Sequence, residues 1–217
     1  DSANPGSAQL EDLLAEVLHG LAYLHAKGIV HRGLKAQNIL LVHQGERLTA
    51  KLADFGVSKD LGQAGKSSSV MVGTIEYMAP EQFSPQRYGI DGKIGPSLDL
   101  WSFGVMVHEL LTGRTPFGGR DGAMTTEQIM RAILSSELPA GVEQLPEPYR
   151  SVIERCLVAD AKDRIRSANE LLRYFDGGAS PAAAVAPAAE VRDEDATRLL
   201  AKDLVPSPLA AAPPPAE

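Results

Sequence analysis

The chain has 217 residues, of which 44% are hydrophobic and 23% charged, a composition that is ordinary for one globular domain with a tail. Its net charge of −7 carries no overall basic signature of the kind that nucleic acid or an anionic membrane attracts, so we expect neither partner. Cys156 is the only cysteine, which excludes an intrachain disulfide and a thiolate zinc cluster. Residues 1–9 show no signal-peptide pattern, and we therefore expect a cytoplasmic or other reducing compartment.

The first predicted elements are a helix and a hairpin. Leucine and valine recur every three or four residues over residues 10–24, which places an apolar stripe on one helix face, and Gly28 predicts the end of the helix. Two short apolar runs, 38–42 and 48–53, flank a polar turn and predict a small β-hairpin. Residues 54–81 show no periodicity, so we expect a functional or disordered loop there.

A buried helix is predicted next. Residues 97–112 are apolar almost all round, which is typical of a helix enclosed by others, and Gly113 predicts its end. Shorter helices are predicted at 125–135, 147–157 and 167–175. The 42 residues after Phe175 include 20 alanines and prolines and no aromatic residue, so they cannot offset their ordering entropy. The predicted parts are a disordered N-terminus at 1–9, a folded domain at 10–175 and a disordered Ala/Pro-rich acidic tail at 176–217.

Three short motifs follow one another between residues 31 and 81. They are His31-Arg32-Gly33-Leu34-Lys35-Ala36-Gln37-Asn38, then Asp54-Phe55-Gly56, then Gly73-Thr74-Ile75-Glu76-Tyr77-Met78-Ala79-Pro80-Glu81. Their order and spacing resemble the signature set of eukaryotic-type serine/threonine protein kinases. The resemblance implies a mainly α fold, a kinase C-terminal lobe with a small β-hairpin over residues 10–175. The glycine-rich loop and strand lysine of an upper lobe have no counterpart in this sequence, so we expect a partial kinase domain.

The resemblance implies ATP and magnesium as cofactors and a protein hydroxyl as the phosphoryl acceptor. Asp54 resembles the magnesium ligand, Asn38 the ligand of a second metal ion, and Lys35 the catalytic-loop lysine that reaches the transferred phosphate. Lys35, Asn38, Leu40 and Asp54 are accordingly expected to face the nucleotide. Each polar member of this set could instead stabilise a loop, but their joint occurrence in register favours the site.

Gly33 departs from the family pattern, because it stands where the family carries the catalytic aspartate. Glycine has no group that can orient a hydroxyl or accept its proton, and a general base is typically worth about 10²–10⁴-fold in rate. We therefore expect a catalytically impaired domain. Two functions stay open: a serine/threonine kinase represented by an incomplete chain, and a pseudokinase that acts as a protein-binding scaffold. A product that does not fold stably is a weaker alternative, and the sequence does not predict the oligomeric state.

The other motif residues take regulatory or structural roles by resemblance. Arg32 would pair with a phosphate on the activation loop, for which Ser67, Ser68 and Ser69 are candidate acceptors, although a flexible polar loop explains three serines equally well. Thr74 would contact the catalytic loop. Asp99 would interact favourably with the helix dipole and would also hydrogen-bond the backbone of the His31–Asn38 segment, and the two roles are compatible. The structural set comprises His31, Phe55, Gly56, Glu81, Asp99 and Arg164, with Glu81 and Arg164 expected as a buried ion pair.

Overall fold

The computed structural model describes residues 5–45, 47–53, 75–118, 124–135 and 137–175, with side chains from residue 8. Within these ranges the chain is mainly helical and has one two-stranded antiparallel sheet. The elements are α1 (Pro5–Ala26), β1 (Ile39–Gln44), β2 (Arg47–Leu52), α2 (Pro80–Phe83), α3 (Pro85–Tyr88), α4 (Ser97–Thr112), α5 (Thr126–Leu134), α6 (Tyr149–Cys156) and α7 (Ala168–Leu172). Short 3-10 turns lie at Ala36–Asn38, Ile75–Tyr77 and Val142–Gln144.

Helix α1 carries the predicted leucine stripe. Leu14, Leu18 and Leu21 are at most 2% exposed and face the core, where α1 contacts β2 and α7. Gly28 adopts a φ of 72°, which glycine reaches without strain, and its N–H donates to the carbonyl of His25. The helix begins at Pro5, so residues 5–9 are helical and not part of a disordered terminus. Proline fits this first turn because a helix does not use the N–H groups there.

The predicted hairpin is confirmed, with Ile39 opposite Leu52 and Gln44 opposite Arg47. It docks on α1 through Glu16, whose carboxylate accepts a hydrogen bond of 2.6 Å from the N–H of Ala50 and one of 3.0 Å from Arg47 Nη2. This contact fixes the hairpin against the helix, and it joins residues more than 30 positions apart in sequence.

Helix α4 is the centre of the core, as the apolar run predicts. Leu100, Phe103 and Val105 are fully buried, and Trp101 is 1% exposed. The Trp101 ring stacks on Phe117 with ring centroids 5.4 Å apart. Gly113 closes the helix at a φ of 74°, donating its N–H to the carbonyl of Glu109. Burial on every side explains why this segment lacks a polar face.

The later helices are shorter than predicted, because the predicted ranges include their caps and, for α7, two further residues after the C-cap Arg173. Thr125 accepts a hydrogen bond from the N–H of Gln128, and Ser167 accepts one from the N–H of Glu170, so both residues lie just outside their helices. The one-turn helices α2 and α3 were not predicted. Among the described residues, no helix is both long and apolar enough to cross a membrane. Residues 54–74 and 176–217, for which loops or disorder were expected, lie outside the described ranges.

Candidate active site

The segment from His31 to Asn38 is held from one side by Asp99 in the first turn of α4. The Asp99 carboxylate is fully buried and accepts hydrogen bonds of 2.8 Å from the backbone N–H groups of His31 and Arg32. A third contact of 2.8 Å joins it to Nε2 of His25. Arg32 lies at a φ of 62°, a left-handed conformation that costs a non-glycine residue on the order of 1–3 kcal/mol. Asp99 offsets this cost by binding the Arg32 N–H.

His31 links this loop to the end of β2. Its Nδ1 accepts a hydrogen bond of 3.3 Å from the N–H of Gly33, so the tautomer with hydrogen on Nε2 fits, and Nε2 donates to the carbonyl of Ala53 at 3.2 Å. The N–H of Ala53 donates to the carbonyl of Asn38 at 2.9 Å. Ala53 directly precedes Asp54, so these two bonds fix the point from which the chain continues to Asp54.

A hydrogen bond to Gly33 sets the orientation of the Asn38 side-chain amide. Its Nδ2 donates a hydrogen bond of 2.7 Å to the carbonyl of Gly33, and since a carbonyl can only accept, the amide nitrogen must lie on this side. The amide oxygen is therefore directed away from Gly33. A neutral, hard oxygen atom held in this way is a suitable ligand for magnesium. The described part of the site thus fits the metal that the family pattern implies.

Gly33 contributes only its backbone to the site, through its N–H to His31 and its carbonyl to Asn38. Its backbone does not require glycine. In the described part of the chain, positive φ angles among glycines occur at six other positions: Gly28, Gly45, Gly92, Gly113, Gly118 and Gly141. An L-residue at position 33 would therefore meet no left-handed strain, so a left-handed backbone is not the reason for the missing carboxylate.

The other predicted site residues lie on the same short stretch. Lys35 is half-buried and extended (φ −163°, ψ 162°) immediately before the turn Ala36–Asn38. Leu40 is partly exposed on β1, next to Ile39, which points into the core and is 5% exposed. Arg32 has an exposed side chain. The remaining predicted residues lie outside the described ranges: Asp54, Phe55, Gly56, Ser67, Ser68, Ser69 and Thr74.

Glu81 and Arg164 form a bidentate ion pair, with Nη1–Oε1 and Nη2–Oε2 distances of 2.7 and 2.9 Å and no side-chain exposure. The other three guanidinium hydrogens go to the carbonyls of Ser97, Val158 and Ala159. All five donors of Arg164 are therefore used, which is the condition under which burying such a charge is tolerated. The pair connects the start of α2 to the loop before α7.

His25 is the residue of this site that the sequence analysis did not identify as functional. It shares the Asp99 carboxylate with the backbone N–H groups of His31 and Arg32, yet it lies 74 residues from Asp99 in sequence. Its position six residues before His31 is the only local signal, and spacing alone cannot show that both histidines contact one carboxylate.

Comparison with known proteins agrees with this geometry. The family model of the protein kinase domain matches residues 4–174. Mitogen-activated protein kinase kinase 9 of Arabidopsis thaliana is 39% identical over 156 residues, covering 72% of this chain and 49% of the relative. The probable serine/threonine-protein kinase PknB of Bifidobacterium longum is 31% identical over 206 residues, 92% of this chain and 28% of that protein.

A solved structure shares the fold as well. The crystal structure of Rad53 1-466 in complex with AMP-PNP superimposes with a TM-score of 0.57 and 28% sequence identity, covering 79% of this chain and 40% of that one. The chain therefore spans half or less of the length of these relatives.

Proposed function

This chain belongs to the protein kinase family, and we propose that it forms the C-terminal lobe of a serine/threonine kinase. The kinase transfers the ATP γ-phosphate to a protein hydroxyl, and the lack of a carboxylate at Gly33 lowers the rate of transfer. The single observation that carries the proposal is the hydrogen-bond framework around Gly33. Asp99 binds the N–H of Arg32, and Asn38 binds the carbonyl of Gly33. The segment around Gly33 is thus held in place although it has no carboxylate.

The residues divide the chemistry among them. Asn38 and Asp54 would hold magnesium, Leu40 would pack against the nucleotide base, and Lys35 would neutralise charge on the transferred phosphate. Magnesium-ATP, when bound, supplies the phosphoryl group and part of that neutralisation. Residue 33 would normally orient the attacking hydroxyl and accept its proton, and glycine can do neither. We therefore expect transfer to be slower by about 10²–10⁴-fold than with a carboxylate.

Regulation and location remain part of the proposal. Arg32, with its exposed side chain, is available to pair with a phosphate on Ser67, Ser68 or Ser69. The compartment is proposed to be reducing, since the only cysteine, Cys156, is buried and free.

The second candidate function is a pseudokinase scaffold, and Gly33 itself is the observation that favours it. The φ angle at this position does not call for glycine, and a missing base there fits a protein that no longer needs catalysis. The two candidates differ in what restoring the carboxylate should do.

The decisive experiment measures phosphoryl transfer to a generic serine/threonine peptide by this lobe joined to a kinase upper lobe. Gly33→Asp should raise the rate by about 10²–10⁴-fold. Gly33→Asn is the matched control, because it adds the same bulk without a carboxylate, and it should give no gain. Asn38→Ala and Asp54→Ala in the restored background should remove the gain, since the phosphate charge would no longer be neutralised. Equal rates for Gly33→Asp and Gly33→Asn would favour the scaffold.

A further inference from the structure

A wide cleft of about 640 Å³ opens on the lobe surface between α6 and α7. Its walls carry four exposed cations: Arg155 in α6, Lys162 and Arg166 in the following loop, and Arg173 just after α7. None of these four takes part in the ion pairs formed within the described part of the chain. A chain with a net charge of −7 therefore concentrates positive charge at one place on its surface.

The acidic residues in the cleft do not cancel this charge. Asp163 and Glu170 are the two carboxylates of the lining, which leaves a surplus of two positive charges once the paired Arg164 is set aside. Glu170 is also engaged in the cap of α7, where its Oε1 accepts a hydrogen bond of 3.2 Å from Ser167 Oγ. The surplus predicts an anionic ligand.

Backbone hydrogen bonds order the loop that follows α6 and carries part of this positive charge. The N–H of Ile165 donates to the carbonyl of Arg155, which holds the loop against the end of α6. The N–H groups of Asp163 and Arg164 both donate to the carbonyl of Asp160, which closes the turn. A ligand therefore does not need to bring the backbone of these residues together, and part of the ordering cost of binding is avoided.

The sequence beyond the cleft offers an occupant of the right charge. Tyr174 lines the cleft, and the chain continues from there into residues 176–217, which carry seven acidic and three basic residues. Their densest acidic run is Asp193-Glu194-Asp195, which begins 18 residues after Phe175. A random-coil chain of 18 residues would span roughly 25 Å, and a tethered ligand reaches effective concentrations on the order of millimolar.

We propose that the run Asp193–Asp195 binds in this basic cleft of its own chain. Its carboxylates would accept charge-assisted hydrogen bonds from Arg155, Arg166 and Arg173. Exposed ion pairs are individually weak and screened by salt, so the bound state depends on the tether and on ionic strength. The consequence is competition: an acidic partner protein reaches the cleft only by displacing the tail.

Paramagnetic relaxation in the full chain tests this. Burial raises the pKa of the Cys156 thiol to about 12, so a nitroxide reagent at neutral pH modifies only a cysteine introduced by Ala196→Cys. At low ionic strength the label should broaden backbone amide signals of residues 162–174. The broadening should disappear near 1 M salt, where the screening length falls to about 3 Å.

Charge variants identify the contact. The isosteric tail change Asp193→Asn, Glu194→Gln and Asp195→Asn leaves the lobe untouched and should abolish the broadening. Reversing the charge of the cleft by Arg155→Glu and Arg166→Glu should also abolish the broadening. Adding Asp193→Lys, Glu194→Lys and Asp195→Lys to that variant should restore the broadening. If the cleft variant fails to fold, the tail variant alone decides.

Three results would overturn the proposal. The first is broadening that persists in the neutral tail or falls away from residues 162–174. The second is broadening seen only when a labelled chain is mixed with an isotopically enriched unlabelled one, which would identify a second copy as the occupant. The third is a set of cleft signals that respond to an added acidic peptide but not to the tail changes, which would identify a separate partner.

Discussion

Asp99 and Arg32 lie 67 residues apart in sequence, and Asp99 Oδ1 accepts a hydrogen bond of 2.8 Å from the backbone N–H of Arg32. The bond supports a residue that has a left-handed conformation without being glycine. The segment from His31 to Asn38 is therefore held in shape by a helix that follows it much later in the chain.

Asp99→Asn should destabilise the protein by about 1–3 kcal/mol. The carboxylate receives hydrogen bonds on both oxygens, whereas an amide presents a nitrogen donor to one of the buried N–H groups and leaves it unsatisfied. Urea unfolding followed by circular dichroism measures the change. The matched control is Asp91→Asn, at an exposed residue with a φ of 52° that asparagine also tolerates, and it should stay within about 0.5 kcal/mol. Equal unfolding free energies for the two variants would show that Asp99 does not support the loop.

Glu81→Gln should cost about 3–5 kcal/mol, because it leaves the Arg164 guanidinium buried without its counter-charge. The exposed pair Glu127–Arg131, with an Nη2–Oε1 distance of 2.6 Å, provides the control. Glu127→Gln should cost less than about 1 kcal/mol, since solvent screens that pair. Denaturant midpoints of both variants test the difference, and a loss below 1 kcal/mol for Glu81→Gln would contradict it.

Stability should fall as the pH is lowered through about 6.5, in part because of His108. Burial lowers the pKa of His108 below its ordinary value of 6.5; the charge of Arg114 acts in the same direction, while a hydrogen bond to the Arg114 carbonyl opposes it. The unfolded chain therefore takes up a proton at a pH where the folded chain does not, and acidification favours unfolding.

His108→Gln should flatten this pH dependence between about pH 5 and 7, as measured by urea unfolding at a series of pH values. Parallel stability curves for wild type and His108→Gln would show that His108 does not contribute.

Gly104→Ala should cost about 1–3 kcal/mol by overpacking the α4–α6 contact. A methyl group at position 104 would overlap the Cβ of Cys156 and lie 3.2 Å from Leu157 Cδ2. Gly95→Ala is the comparison, since no atom lies within 4 Å of its added Cβ, and it should be nearly neutral. Thermal unfolding measures the stability of both variants. A Gly104→Ala protein as stable as the Gly95→Ala protein would mean that α6 moves away from α4 with little loss of stability.

Sequence patterns predicted the elements whose burial is periodic and local. The stripe from Leu10 to Leu24 and the apolar run from Ser97 to Thr112 each form the helix that their spacing indicates. Helices α2 and α3 were missed because four residues make one turn, which is too short to show a period. The motif residues of the site were found by resemblance. Contacts such as His25 with Asp99 were not, because no local pattern encodes a pairing across 74 residues.

Trp101 gives this lobe a built-in optical reporter. It is the only tryptophan, and its ring stacks on the Phe117 ring and also lies next to the Arg164 guanidinium, whose central carbon is 5.1 Å from the ring centroid. All tryptophan emission therefore comes from one position, next to the side chain that neutralises Glu81. A shift of that emission to longer wavelength would signal the entry of water at the Arg164 network, and would report the state of this junction without any added dye.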